Sequence, residues 1–236
     1  MFDFHSHILP GMDDGSANVD ESLSLLSILA QQGVTGVAAT PHFYAAREAP
    51  DHFLLRRAKA SQRLSARLSA GMPEILLGAE VFYYSGISHT EELDQLCLQG
   101  TAYLLLEMPF SAWSDLELRE VLALQDRGIV QVVLAHVDRY WRMQRREVWD
   151  LLWQRGVELQ LNAEGLLHWN NRRQYIEMLA RKQIRFIGSD CHNTVSRQPK
   201  LDKAQQVLQR KRRGELLDDP WRDPRLARTY DEVLSL

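Results

Sequence analysis

The sequence has little cysteine: two residues, Cys97 and Cys191, nearly a hundred positions apart. That argues against a disulfide framework and fits a reducing compartment, so the cytoplasm is the expected location. No apolar run approaches the roughly 20 residues that span a bilayer. The first residues carry neither a basic segment nor a long apolar one, so neither membrane insertion nor a signal peptide is expected. An excess of charge of one sign is also lacking. A net charge of −3 gives no footprint for nucleic acid. Low-complexity tracts and dividing linkers are missing too, and 236 residues suit one domain over 1–236.

What is present is a repeating unit. An amphipathic stretch ends in glycine, and a short apolar run follows. Gly33, Gly71, Gly100, Gly128 and Gly156 stand where a residue just past a helix end would stand. The runs after them are VTGVAATPH, EILLGAEVF, AYLLLEMPF, VQVVLAHVDRY and VELQLNAEG; MFDFHSH and IRFIGSDCH make seven. Between them, VDESLSLLSILAQQG, DHFLLRRAKASQRLSARLSAG, DLELREVLALQDRG and RREVWDLLWQRG have helical apolar spacing. Strands alternating with helices predict a parallel sheet, and seven units predict a closed or nearly closed barrel. Helical segments are expected near 200–213 and 224–235. The basic run RKRRG at 210–214 reads as a solvated helix end.

In a parallel barrel, the active site forms at the C-terminal ends of the strands. Six of the seven runs end there on a side chain that can bind metal. These are His5 and His7, His42, Glu80, Glu107, His136, then Asp190 and His192; Asp14 joins them from the first loop. The sixth run ends LNAEG, and neither Asn162 nor Glu164 is given a ligand role. One such residue is ordinarily a satisfied polar group. Nine together, with acids packed side by side, call for cations to neutralise them. Alternate residues of a strand share a face, so His5 and His7 can reach one ion. Asp190 and His192 can repeat that arrangement or serve neighbouring ions. Nine ligands exceed one ion, and a set of imidazoles and carboxylates suits Mn, Fe or Zn.

The segments DFHSHILPGMDDG, TPH, GAE, AHVDRY and SDCHNTVSRQP, with Glu107 at its strand end, together resemble the PHP (polymerase and histidinol phosphatase) superfamily. Within it they are most similar to the bacterial capsule-type, metal-dependent protein-tyrosine phosphatases. The resemblance implies a distorted (β/α)7 TIM-like barrel with three divalent ions, usually manganese. It implies a first ion on His5, His7, Glu80 and Asp190. Glu80 would bridge to a second on Glu107 and His136, and a third would sit on Asp14, His42 and His192. Other PHP subgroups often have histidine where Asp14 and Glu107 stand, which favours the tyrosine-phosphatase subgroup. Arg139 and Arg197 would be substrate arginines, with Arg47 a weaker candidate. The implied substrate is phosphotyrosine on protein, such as the tyrosine-rich tail of a bacterial tyrosine kinase that regulates polysaccharide export.

The expected reaction is hydrolysis in which a metal-bridging hydroxide attacks phosphorus, its parent water having a pKa lowered to about 7. Three rival readings share these residues. Cys191 and Arg197 form the C-x5-R spacing of cysteine-dependent phosphatases, but HNTVS between them lacks the glycine of a phosphate loop, and Asp190 disfavours a thiolate. A small phosphate monoester such as histidinol phosphate could be the substrate. A non-catalytic, metal-containing binding module is the third; closed structural sites use four protein ligands, whereas this set divided among three ions leaves positions open. Trp113, Trp141 and Trp169, in apparent loops, either pack or rim the site.

Overall fold

The computed structural model describes residues 1–218 and 222–226. The expected segment at 224–235 lies almost wholly outside them; within it, only Pro224–Leu226 is described, as a 3-10 turn.

Nine strand segments run in chain order: β1 (Phe2–Ser6), β2 (Gly36–Ala39), β3 (His42–Phe43), β4 (Glu74–Leu77), β5 (Glu80–Phe82), β6 (Tyr103–Glu107), β7 (Gln131–Leu134), β8 (Glu158–Asn162) and β9 (Phe186–Gly188). All pairings between them are parallel. Segments β2 and β3 are halves of one strand broken at Thr40-Pro41, and β4 and β5 are halves of the next. The break is spanned by hydrogen bonds from Gly78 N to Ala39 O (2.9 Å) and from Glu80 N to Pro41 O (3.0 Å). Seven strands result, matching the seven runs. They close into a barrel where the chain past β9 meets β1: Asp190 N donates to His5 O (2.8 Å), and His7 N donates to Cys191 O (2.9 Å). The fold is the expected distorted (β/α)7 barrel.

Helices α1 (Val19–Gln31), α2 (Pro50–Ser65), α3 (Asp115–Asp126), α4 (Val137–Tyr140), α5 (Arg146–Gln154), α6 (Trp169–Ala180) and α7 (Leu201–Arg210) connect the strands and pack outside. Their ends follow the sequence. Asn18 caps α1 by accepting from Glu21 N, and Ser114 with Glu117 forms a capping box on α3. Helix α2 stops at Ser65, earlier than its periodicity suggests, and leaves Leu68 partly exposed. Trp169 opens α6 and is exposed, whereas Trp113 and Trp141 pack against Trp149. Lys211, Arg212 and Arg213 are solvated beyond α7, as read. Among the described residues, no helix is long and apolar enough to cross a membrane.

The core has two parts. The larger lies between strands and helices, and the smaller fills the barrel. In the smaller one Phe4 stacks on Phe186 with centroids 3.8 Å apart, and Tyr103 meets Phe186 edge-on at 4.9 Å. The register of β1 shifts between Asp3 and Ser6. Strict alternation would send Phe4 and His5 to opposite faces. Instead Phe4 packs on Phe186 while His5 reaches Gln160, and those two partners face each other in register across β8 and β9. The irregularity therefore turns His5 and His7 inward above an aromatic floor.

Candidate metal centre

The nine residues singled out in the sequence converge at the C-terminal mouth of the barrel. His5 and His7 leave β1 with their Nε2 atoms 3.1 Å apart. His42 opens β3, Glu80 opens β5 and Glu107 closes β6. His136 and Asp190 follow β7 and β9 in the left-handed region, at φ 32° and 52°. Such backbone is uncommon for side chains of this kind and is held by its surroundings. Asp14 lies in the loop after β1.

Three clusters of candidate ligand atoms form, each with all atoms within 4.8 Å of one another: His7, Asp14, His42 and His192; His5, His7 and Asp190; His42, Glu80 and Glu107. Glu80 links them. Its Oε2 has nitrogens of His5, His42 and His7 at 3.1, 3.1 and 3.3 Å. Its Oε1 accepts from His136 Nε2 at 2.8 Å, and that nitrogen is 3.4 Å from Glu107. Asp14 lies 3.6 Å from His42 and 3.4 Å from His192. Asp190 and His192 thus divide between neighbouring clusters.

The donor chemistry fits divalent cations. Three buried side-chain atoms that face the other candidate ligands, His42 Nδ1, Glu80 Oε2 and His192 Nε2, have no hydrogen-bond partner. Buried polar atoms are ordinarily satisfied. For His42 Nδ1 and Glu80 Oε2 the short separation lacks hydrogen-bonding geometry, as expected of lone pairs converging on a shared point. The charges agree. Burial alone would raise the Glu80 carboxyl, yet His5, His136 and His7 hold it well below the usual range. Burial opposes protonation of His7 and His136. Contacts with Asp13, Asp190 and Glu80 nevertheless raise His7, and contacts with Glu107 and Glu80 bring His136 up to about 9. Burial and the charge of His7 push His192 down to about 3.

A second ring of residues orients the first. Asp13 Oδ2 accepts from His7 Nδ1 (2.7 Å) and from the His42 backbone N–H (2.9 Å). Gln160 Oε1 faces His5 Nδ1 at 3.2 Å and accepts from His136 N at 2.7 Å. Asn162 Nδ2 donates to Asp190 Oδ2 at 3.1 Å. The strand without a candidate ligand therefore supplies two orienting amides, QLN in the sequence. Asp13 was visible only as half of an acidic pair.

Arg139 and Arg197 reach the same mouth. Arg139 hydrogen-bonds Asp190, and Arg197 Nη2 donates to Asp190 Oδ1 at 3.1 Å. Asn193 Oδ1 accepts from the N–H groups of Val195, Ser196 and Arg197 at 2.8–3.1 Å, which fixes the turn that presents Arg197. Cys191 is fully buried, and burial together with Asp3 pushes its thiol up to about 12. The C-x5-R spacing therefore contains no available nucleophile.

Comparison with known proteins agrees with this geometry. Tyrosine-protein phosphatase CpsB of Streptococcus agalactiae serotype V is 29% identical over 223 residues, covering 88% of this chain and 89% of the relative. Tyrosine-protein phosphatase YwqE of Bacillus subtilis is 28% identical over 232 residues, covering 92% and 87%. A solved structure superposes with a TM-score of 0.75 at 25% identity, covering 92% of this chain and 89% of the other. It belongs to a set described as YwqE from Bacillus subtilis and CpsB from Streptococcus pneumoniae, unique metal-dependent tyrosine phosphatases. The family described as capsular polysaccharide synthesis, CpsB/CapC, matches residues 1–219, and the chain belongs to that family.

Proposed function

We propose that this protein is a metal-dependent phosphatase that hydrolyses phosphotyrosine on protein. The observation that carries this reading is the convergence of nine imidazole and carboxylate groups, among which His42 Nδ1, Glu80 Oε2 and His192 Nε2 are buried, face the other candidate ligands and lack a hydrogen-bond partner. Its relatives named as tyrosine-protein phosphatases support it. In this reading His5, His7, Asp14, His42, Glu80, Glu107, His136, Asp190 and His192 hold three divalent ions, with manganese first and iron or zinc as alternatives. The ions supply hydroxide near neutral pH and neutralise the phosphoryl oxygens.

The chain's own groups do the rest. Arg139 and Arg197 lie on one side of the mouth, where planar guanidinium groups can grip two phosphoryl oxygens each. Asp13, Gln160 and Asn162 hold the ligand side chains in place before substrate arrives. A phenolate, with a conjugate-acid pKa near 10, leaves with little acid assistance. The natural substrate in this reading is the tyrosine-rich tail of a bacterial tyrosine kinase controlling capsule or exopolysaccharide synthesis, met in the cytoplasm. The family description supports the capsule connection.

The test is chelation and rescue. Protein stripped to zero metal should lose hydrolysis of phosphotyrosine peptides from such a tail, and Mn²⁺ should restore it. Arg139→Ala and Arg197→Ala should each lower kcat/KM by roughly 10- to 100-fold, the scale of a hydrogen bond to a charged group. Persistent turnover in demonstrably metal-free protein defeats the proposal. Faster turnover of histidinol phosphate than of the peptides reassigns the substrate.

A further inference from the structure

A cavity of about 630 Å³ opens directly beside the metal centre. Asp14 and His42 are among its lining residues, as are Tyr44, Arg47, Glu48 and Arg56. That volume is within the range of small-molecule sites. The cavity lies on the His42 side of the mouth; Arg139 and Arg197 both bond to Asp190, and Arg197 also reaches Asp14, at the cavity's edge, at 3.5 Å.

Its walls are unequal. Glu48 already pairs with His52 at 2.7 Å and with Arg56 at 2.6 Å, so those charges are engaged within the protein. Arg47 is different. Its side chain is exposed, and its guanidinium lies 4.3 Å from the centroid of the Tyr44 ring. The Tyr44 ring is half-buried. It packs 5.3 Å from the His42 imidazole and is backed by Phe82 at 5.7 Å. A planar cation on an aromatic ring, next to a candidate metal ligand, makes a flat wall suited to another ring.

We infer that Tyr44 and Arg47 form the subsite that seats the phenyl ring of the phosphotyrosyl side chain, and so select aromatic over alkyl phosphates. This rests on the proposed phosphatase activity and adds a specificity device to it. The phosphoryl group occupies the metal centre, and the ring extends into the cavity against the Tyr44–Arg47 pair. Neither residue touches the reacting phosphorus; both position the leaving group.

Non-hydrolysable inhibitors read this subsite without turnover. Phenylphosphonate and methylphosphonate are compared as competitive inhibitors of the Mn²⁺-loaded protein. Wild type should bind the phenyl compound roughly tenfold more tightly, the scale of one aromatic contact and its buried area. Tyr44→Ala and Arg47→Ala should each shrink that ratio several-fold, while the Ki for methylphosphonate and the metal content stay within about twofold of wild type. Tyr44→Phe, which keeps the ring, should preserve the ratio. An unchanged ratio in both alanine variants overturns the inference. So does a parallel rise of both Ki values, because Tyr44 would then only support His42. An active wild type with such variants loses this inference alone. A metal-loaded wild type without phosphotyrosine hydrolysis loses the phosphatase reading and this one together.

Discussion

Asp13 and Asp14 are neighbours in sequence and occupy different places at the site. Asp14 projects to the rim, where its side chain is 64% exposed, while that of Asp13 is 7% exposed. The Asp13 carboxylate accepts from three donors: His7 Nδ1, His42 N and Gly15 N. Burial would raise its pKa, but the contact with His7 holds it far below the usual range. An asparagine has one acceptor oxygen and an amide that must donate, so Asp13→Asn cannot serve all three. That variant should fold and bind Mn²⁺ roughly 10- to 100-fold more weakly, the effect of losing an orienting partner if His7 is a ligand. Calorimetric titration measures it, and unchanged affinity would remove Asp13 from the site. The sequence exposed the nine candidate ligands because each ends an apolar run. Asp13, Gln160 and Asn162 carry no such mark, since an orienting role depends on which side chain lies opposite, and that is fixed only by tertiary register.

Between elements, the seam of β1 and β9 sets the geometry. Gly188 ends β9 against β1, and a Cβ placed there would lie 2.5 Å from His5 Cβ, 2.9 Å from His5 N and 2.9 Å from Gln160 Nε2. Two of those atoms belong to the His5 backbone and Cβ, which cannot swing aside. Gly188→Ala should destabilise the fold by roughly 1–3 kcal/mol, the scale of overpacking in a filled interior. It should also displace His5 and weaken metal binding. Denaturant unfolding with a Mn²⁺ titration checks both, and a neutral variant would show that the seam yields. The seven strands themselves were legible from β-branched and apolar runs bounded by glycines, and Gly33, Gly71, Gly128 and Gly156 do take positive φ at 67–87°. Three features were not legible. Pro41, without an N–H, splits one strand in two. Helix α6 buries only Tyr175, Met178 and Leu179, a stripe too thin to announce itself. The shift in β1 follows from how Phe4 and His5 both find partners inside the barrel, which no local pattern encodes.

Across the whole molecule, closure and chemistry are built at the same place. The candidate ligands come from β1, β3, β5 and β6 and from the loops after β1, β7 and β9, so cations held among them tie together most of the barrel mouth. The mouth gathers carboxylates of Glu80, Glu107 and Asp190, with the imidazoles of His5, His7 and His136 and the guanidinium groups of Arg139 and Arg197 against them. A ligand that binds the folded chain and not the unfolded one stabilises it by mass action, about 2.7 kcal/mol at a free concentration 100 times Kd. For a chain of this size each kcal/mol moves the melting temperature by roughly 2–4 °C, so saturating Mn²⁺ should raise Tm by roughly 5–10 °C over chelated protein. The rise should grow with the logarithm of Mn²⁺ concentration above Kd. Asp13→Asn should need correspondingly more metal to reach the same Tm, whereas Arg47→Ala, outside the ligand set, should track wild type. A melting temperature indifferent to Mn²⁺ would mean that the nine groups do not gather cations in solution, whatever their geometry, and the phosphatase reading would lose its physical basis.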